Sequence, residues 1–211
     1  MTNSGFAQLP EPLAYAESLL AWFTRMGIDS DESTLPDLCV AAAAQLSQCE
    51  LSQLYGCDES TGRLDLIAQH LPGALPPGDL ACGPDFQHQQ LLHYVLSRCC
   101  SLSLENLEDG VYESGFLPAT TVPWRSLVCV PLVGRHNAVA GLLLCASRQP
   151  RWLQNYGPSL SQLGSFALSQ RALLRRGRPA NIASQAKGCA PTARVTYGLT
   201  GNSTAMDETY R

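Results

Sequence analysis

The side chains with the most obvious chemistry in this 211-residue chain are nine cysteines and four histidines. Their spacing decides whether any of them act together. His88 and Cys99 lie eleven residues apart, ~16 Å along a straight helix, while metal–ligand bonds measure about 2.0–2.3 Å, so one ion does not join them. His93 and Cys100, seven apart, meet the same obstacle at ~10 Å. A metal site would need Cys82 from a loop, His88 from the start of a helix and a hairpin thiol such as Cys129 or Cys145, and no C-x-x-C pair supports it. The simpler expectation is reduced cysteines acting as small hydrophobes. Cys99 and Cys100 are adjacent, but a disulfide between neighbours is strained, and a helix C-terminus does not lower a thiol pKa. Whether Cys129 and Cys145 meet across their hairpin depends on register, since a slip of one residue moves one of them to the opposite face.

Catalysis finds no better footing. His70 precedes Leu71-Pro72 at a strand end, His136 falls at a hairpin tip, and no G-x-S-x-G turn presents a nucleophile. A phosphate-wrapping G-x-x-x-x-G-K-[ST] loop and a helix-turn-helix pattern are also missing, so the stretch in hand is expected neither to hydrolyse ATP nor to read DNA. No catalytic residue is assigned, and no cofactor.

The elements that would position these side chains follow from periodicity. In residues 11–27, Leu13, Ala16, Leu19, Leu20, Phe23 and Met26 share one helical face, and Gly27 supplies a stop. A second helix at about 34–49 has Pro36 in its opening turn and an apolar surface of small residues suited to close packing on a sheet. LSQLYGCD and RLDLIAQHL flank a polar turn at 59–62 and read as a β-hairpin. A Pro/Gly-rich loop follows, then FQHQQLLHYVLSRCC with Phe86, Leu91, Leu92, Val95, Leu96 and Cys99 at helical spacing, then the edge strand SLSLENL. SLVCVPLVGRHNAVAGLLLCAS is the clearest signal: two Val/Leu-rich runs about Arg135-His136-Asn137, apolar at nearly every position, so both faces of the sheet centre must be covered. A last helix over about 158–176 keeps Leu160, Leu163, Phe166, Ala167, Leu173 and Leu174 on one face.

Composition sets the boundaries. Hydrophobic residues make up 45% and charged ones 15%, enough for one core-forming domain. Residues 1–170 carry 7 basic against 16 acidic side chains, while 171–206 carry 6 basic and no acidic ones. The segment after 176, rich in scattered Gly, Pro and Ala, reads as a basic linker, better suited to a tether beside an acidic neighbour than to a nucleic-acid surface. With no export signal, and an apolar run (Ala138 to Ala146) half the length of a membrane span, a cytoplasmic location is expected.

The order helix, helix, strand, strand, loop, helix, strand, strand, strand, helix resembles the GAF domain family over roughly residues 15–176, with Ser126, Pro131 and Gly141 where that family often has Ser, Pro and Gly. The resemblance implies an α+β fold: a central antiparallel sheet of five to six strands with helices on both faces. It also implies a ligand pocket between the sheet and one helix-plus-loop layer, which carries over here to Phe86, His88, Leu92, Trp124, Arg125, Cys129 and Cys145. Arg125 would hold an anionic group and Trp124 would stack on a ring; alternatively Arg125 is a solvated residue at a strand start and Trp124 a core lid. No N-K-x-D-E-like run and no bilin-attaching cysteine motif is present, which disfavours cyclic nucleotides and bilins.

A second resemblance lies at the end. Gly201-Asn202-Ser203-Thr204-Ala205-Met206 is similar to the opening of the AAA+ ATPase domain in bacterial sigma-54-dependent transcription activators, where a regulatory domain often comes first. The expected organisation is therefore a tail (1–10), a GAF-like sensory domain (11–176), a basic linker (177–196) and the first residues of an AAA+ domain (197–211). The implied function is a signal-receiving domain that controls the ATPase, with sigma-54 polymerase and DNA reached only through other domains and the hydrolysis of ATP belonging to the motor. Leu13, Leu20, Phe23, Leu163, Phe166 and Leu173 on the terminal helices are expected to pair two subunits, since their apolar faces exceed what one sheet face covers. Two alternatives stay open: a protein-interaction module with a filled core, and a metal or iron–sulfur sensor built on Cys82, His88 and Cys129.

Overall fold

A computed structural model of the chain describes residues 8–28, 31–58, 61–73, 89–107, 114–134 and 138–177. Two units divide it, Met1–Pro179 and Ala180–Arg211; the second, with the expected linker and AAA+ opening, lies outside the described residues. The first unit contains α1 (Pro12–Ile28), α2 (Leu35–Ser47), β1 (Leu51–Cys57), β2 (Leu64–His70), α3 (Gln90–Arg98), β3 (Leu102–Leu104), β4 (Ser126–Val133), β5 (Val139–Ser147) and α4 (Gly157–Gly177). The strands form one five-stranded sheet in the order β2-β1-β5-β4-β3, and every pairing is antiparallel. This is the α+β layout that the sequence implies.

Both faces of the sheet are covered, as the unbroken apolar runs of β4 and β5 require. On one face Val128, Val130, Leu132, Leu143 and Cys145 pack beneath α1, α2 and α4. On the other Leu51, Tyr55, Leu127, Cys129, Leu142 and Leu144 lie beneath α3 and the segment that carries Phe116, Leu117 and Trp124. Burying each such side chain stabilises the fold by about 1.5–3 kcal/mol, so no single helix layer dominates the account.

Close approach fixes where helix and strand meet. A Cβ on Gly141 would collide with the carbonyl oxygen of Tyr55 on the paired strand β1, so only hydrogen fits there. On α4, Gly164 sits so near β4 that a Cβ would come within 2.5 Å of Leu132 Cδ2. Two serines beside it hook the helix to the strand: the Ser161 hydroxyl donates to the Pro131 carbonyl at 2.7 Å, and the Ser165 hydroxyl accepts from the Val133 N–H at 2.9 Å. Val133 lies at a register shift of the β4–β5 ladder, and the serine gives its N–H a partner. In the first turn of α4 the Tyr15 hydroxyl of α1 meets Ser159 Oγ at 2.6 Å inside the core.

Helix ends differ from the sequence reading in informative ways. The expected helix over 86–100 is nine residues long: Gln89 is extended, and Cys99, at φ 48° and ψ 39°, ends it in the left-handed region. Residues 86–88 lie outside the described residues. Gln48 ends α2 in the same conformation. Before α2, Asp31 Oδ1 accepts from the Ser33 and Thr34 backbone N–H groups and from both their hydroxyls, while the Asp31 N–H donates to Thr34 Oγ1. These donors, the Ser33 hydroxyl first, hold the Asp31 carboxyl down at a pKa of about 2.

The two glycines should respond differently. Gly141→Ala places a methyl against backbone and is expected to cost more than about 3 kcal/mol, whereas Gly164→Ala meets only the end of a leucine and should cost about 1–2 kcal/mol. Equilibrium urea unfolding of the two variants checks the order, and equal costs would show that the β1–β5 contact is not as tight as described.

Candidate functional site

Of the side chains that the family resemblance singles out, Leu92, Trp124 and Cys129 lie on the α3 face of the sheet, and the register sorts the two cysteines. Cys129 pairs with Leu144 and turns to the α3 side; Cys145 pairs with Val128 and turns to the opposite side, where its thiol lies 3.7 Å from Ser52 Oγ. Cys129 and Cys145 therefore do not line one pocket, which corrects the expectation that grouped them. Burial, and then the neighbouring Cys145, push the Cys129 thiol well above its ordinary value; burial pushes Cys145 up to about 11 against the hydrogen bonds of Ser52 and Ser47, and burial alone pushes Cys39 to about 12. Thiols in such surroundings are not nucleophiles at neutral pH.

Leu92 is fully buried against this face, and Trp124 is buried beside it with its indole N–H donating to the Pro118 carbonyl at 2.9 Å. Arg125 is exposed; its backbone is bound into the sheet through Ser147 and Leu107. The cation over the Trp124 ring is instead Arg148, with Cζ 5.1 Å from the centroid. Nothing in the local sequence marks Arg148, because it comes from the far end of β5, brought over by the pairing of Ser126 with Ser147. Phe86, His88 and Cys82 lie outside the described residues, and so does the metal set that would use them. Among the described residues no group of three His, Cys, Asp or Glu side chains is placed to hold a metal ion.

The polar centre of this face escaped the sequence reading. Gln53 of β1 is 2% exposed, between the buried Ser52 and Leu54. Its Oε1 accepts from the Tyr55 hydroxyl at 2.9 Å, and its amide donates to Gln69 Oε1 at 2.7 Å and, at the long limit of 3.5 Å, to the Phe116 carbonyl. Burial pushes the Tyr55 phenol far above its ordinary pKa, so it stays a neutral donor. The network joins β1, β2 and the loop before β4 across the floor of the α3 layer. A glutamine on the same strand face as Leu51 and Tyr55 was the available signal, but strand alternation does not tell a solvated glutamine from a buried one. A recess of about 240 Å³ is bordered by Leu117, Pro118, Thr120 and Trp124.

The terminal helices are equally particular. Leu13 and Leu20 stand exposed on α1, and Leu173 on α4. Phe23 and Phe166 are half-buried against each other, edge to face, with centroids 5.2 Å apart. Leu163 is wholly buried in the core on the sheet side of α4 and is removed from the set of side chains that could meet a second subunit.

No family model matches the sequence, and no curated protein matches it. Solved structures do. The GAF domain of a phosphoenolpyruvate-protein phosphotransferase from Acinetobacter superposes with a TM-score of 0.60 at 18% identity, over 80% of this chain and 99% of that one. A GAF sensor protein from Burkholderia vietnamiensis gives 0.57 at 12% identity, over 80% and 99%. The GAF domain of the cyanobacteriochrome TePixJ gives 0.53 at 18%, over 72% and 93%. The fold is that of a GAF domain. No helix among the described residues is long and apolar enough to cross a membrane.

If Gln53 is the hub of a network, removing it strands three polar groups. Gln53→Leu is expected to cost about 1–3 kcal/mol and Tyr55→Phe about 0.5–1.5 kcal/mol. The double variant should cost clearly less than the sum, because the two share a partner. Strict additivity in urea unfolding would dissolve the network.

Proposed function

We propose that this chain is a signal-receiving regulatory domain that controls the AAA+ ATPase of a sigma-54-dependent transcription activator by changing how two copies of the domain pair. It works through binding and shape rather than through a reaction of its own. The fold supports the sensory reading, because the sensor and photoreceptor proteins named above carry the same one. The likeness of residues 201–206 to the opening of the AAA+ module supports the ATPase as the recipient of the signal.

The observation that carries the dimer is the apolar surface of the terminal helices. Leu13 and Ile28 are 76% exposed, Leu20 is 65% exposed, and Leu173 and Leu174 are open at the end of α4. The Phe23–Phe166 contact ties α1 to α4, so the two helices present their apolar residues from one joined layer. Burial of these side chains on two protomers yields about 10–20 kcal/mol gross. Association costs about 4–15 kcal/mol, so a micromolar dimer is within reach without any further contact. Signal would pass along α4, which is bound to β4 at Ser161, Gly164 and Ser165 and leads into the segment after 177.

A specific observation favours the interaction-module reading of the input: Leu92, Phe116 and Trp124 fill the α3 layer where a small molecule would otherwise lie. On that reading another protein bears on α3, whose Tyr94 is exposed.

Sedimentation equilibrium of the chain tests the dimer. A dimer in the micromolar range is expected, and Leu13→Glu with Leu20→Glu should return it to monomer without loss of helix content. A strict monomer at tens of micromolar removes the mechanism.

A further inference from the structure

A cleft of about 560 Å³ opens where β1 ends, β2 begins and α4 runs out, well within the range of small-molecule sites. None of the exposed leucines lines it. One wall is the first hairpin: Cys57 and Asp58 at the end of β1, then Asp65 and Ile67 on β2. Ile67 is the extra residue of a β-bulge, between the pairs Leu54–Ala68 and Tyr55–Leu66, and it lies against Gly56. The other wall is the last two turns of α4, with Leu168, Arg171 and Arg175.

The charges of the cleft are unevenly matched. Arg175 is committed to Glu32. Asp65 pairs with Arg63 at 3.0 Å, but both are more than half exposed, so this pair is cheap to exchange. Arg171 is different: its Nε is shielded from solvent and has no hydrogen-bond partner, and desolvation and then the like charge of Arg175 lower its pKa, against the opposing charge of Glu32, which is itself paired with Arg175. A guanidinium presents a planar fork that a carboxylate fills, and a buried donor without an acceptor is costly. A polyanion would face repulsion from the aspartate wall, whereas a molecule with one negative and one positive end meets an opposite charge on each side and apolar surface between.

We propose that this cleft binds a small zwitterion of the amino-acid type, its carboxylate on Arg171, its ammonium towards Asp65, and its apolar side chain between Ile67 and Leu168. The site bridges the first hairpin and α4, and through the Arg175–Glu32 pair it touches the approach to α2. It stands or falls independently of the dimer, because none of its residues belongs to the exposed leucine face.

Calorimetric titration of the full chain with norleucine, hexanoate and hexylamine tests it, since the three share a six-carbon skeleton and differ in their charged ends. Norleucine should bind with a Kd of about 1 mM or tighter, hexanoate several-fold more weakly, and hexylamine not measurably. Arg171→Met, which keeps the apolar stem, should weaken norleucine at least about tenfold. Asp65→Asn should bring norleucine down to the level of hexanoate. No binding of norleucine, equal binding of norleucine and hexanoate by the unaltered chain, or unchanged affinity in a folded Arg171→Met overturns the proposal. Should Arg171→Met not fold, the unaltered chain still gives an answer through peptide-mapped alkylation. Norleucine should slow modification of Cys57 and leave the exposed Cys99 and Cys100 unchanged, and equal rates at Cys57 with and without norleucine would overturn the site.

Discussion

The contact between β5 and β1 at Gly141 is the constraint on which the rest of the molecule depends. The absence of a side chain there lets the Tyr55 carbonyl approach, and that approach sets the register of the whole central triplet. With β1, β5 and β4 in register, every residue of β4 and β5 is assigned to one face or the other. Because both runs are apolar almost throughout, the sheet is unstable until helices cover it on two sides.

These layers are unlike. Three helices close one face, and serine hydroxyls and a glycine hold α4 directly against β4. The other face is closed by the nine-residue α3 and by loop segments, and it contains the buried glutamine–tyrosine network. A sheet built this way has a firm side, where α4 is fastened to β4, and a side closed more sparingly. The proposed zwitterion cleft lies at the end of α4, so it belongs to the firm side.

Much of this was legible in the sequence, and the failures have physical causes. The hairpin of β4 and β5 declared itself by its unbroken Val/Leu runs, and α1 and α2 by apolar spacing. The separation of Cys129 from Cys145 did not, because it turns on a single step of register that no local pattern fixes. Leu163 was grouped with Phe166 and Leu173 because all lie within one wide apolar stripe. Periodicity gives the width of such a stripe but not the part of it that meets the sheet. The start of α3 was placed too early because the apolar spacing continues through residues that precede its extended cap, Gln89. Gln53 and Arg148 were missed for a shared reason: Gln69 on β2 and Trp124 before β4 are far from them in sequence, so these contacts exist only once the sheet is paired.

Native-state hydrogen exchange, followed residue by residue, probes the claim of two unequal layers most directly. Amides of β1, β5 and β4 should exchange only with global unfolding, and α4 should follow them closely. Those of α3 should open at markedly lower free energy, since this nine-residue helix is the shortest of the four among the described residues. Protection of α3 equal to that of β5, or early exchange of β5 around Gly141, would contradict the account.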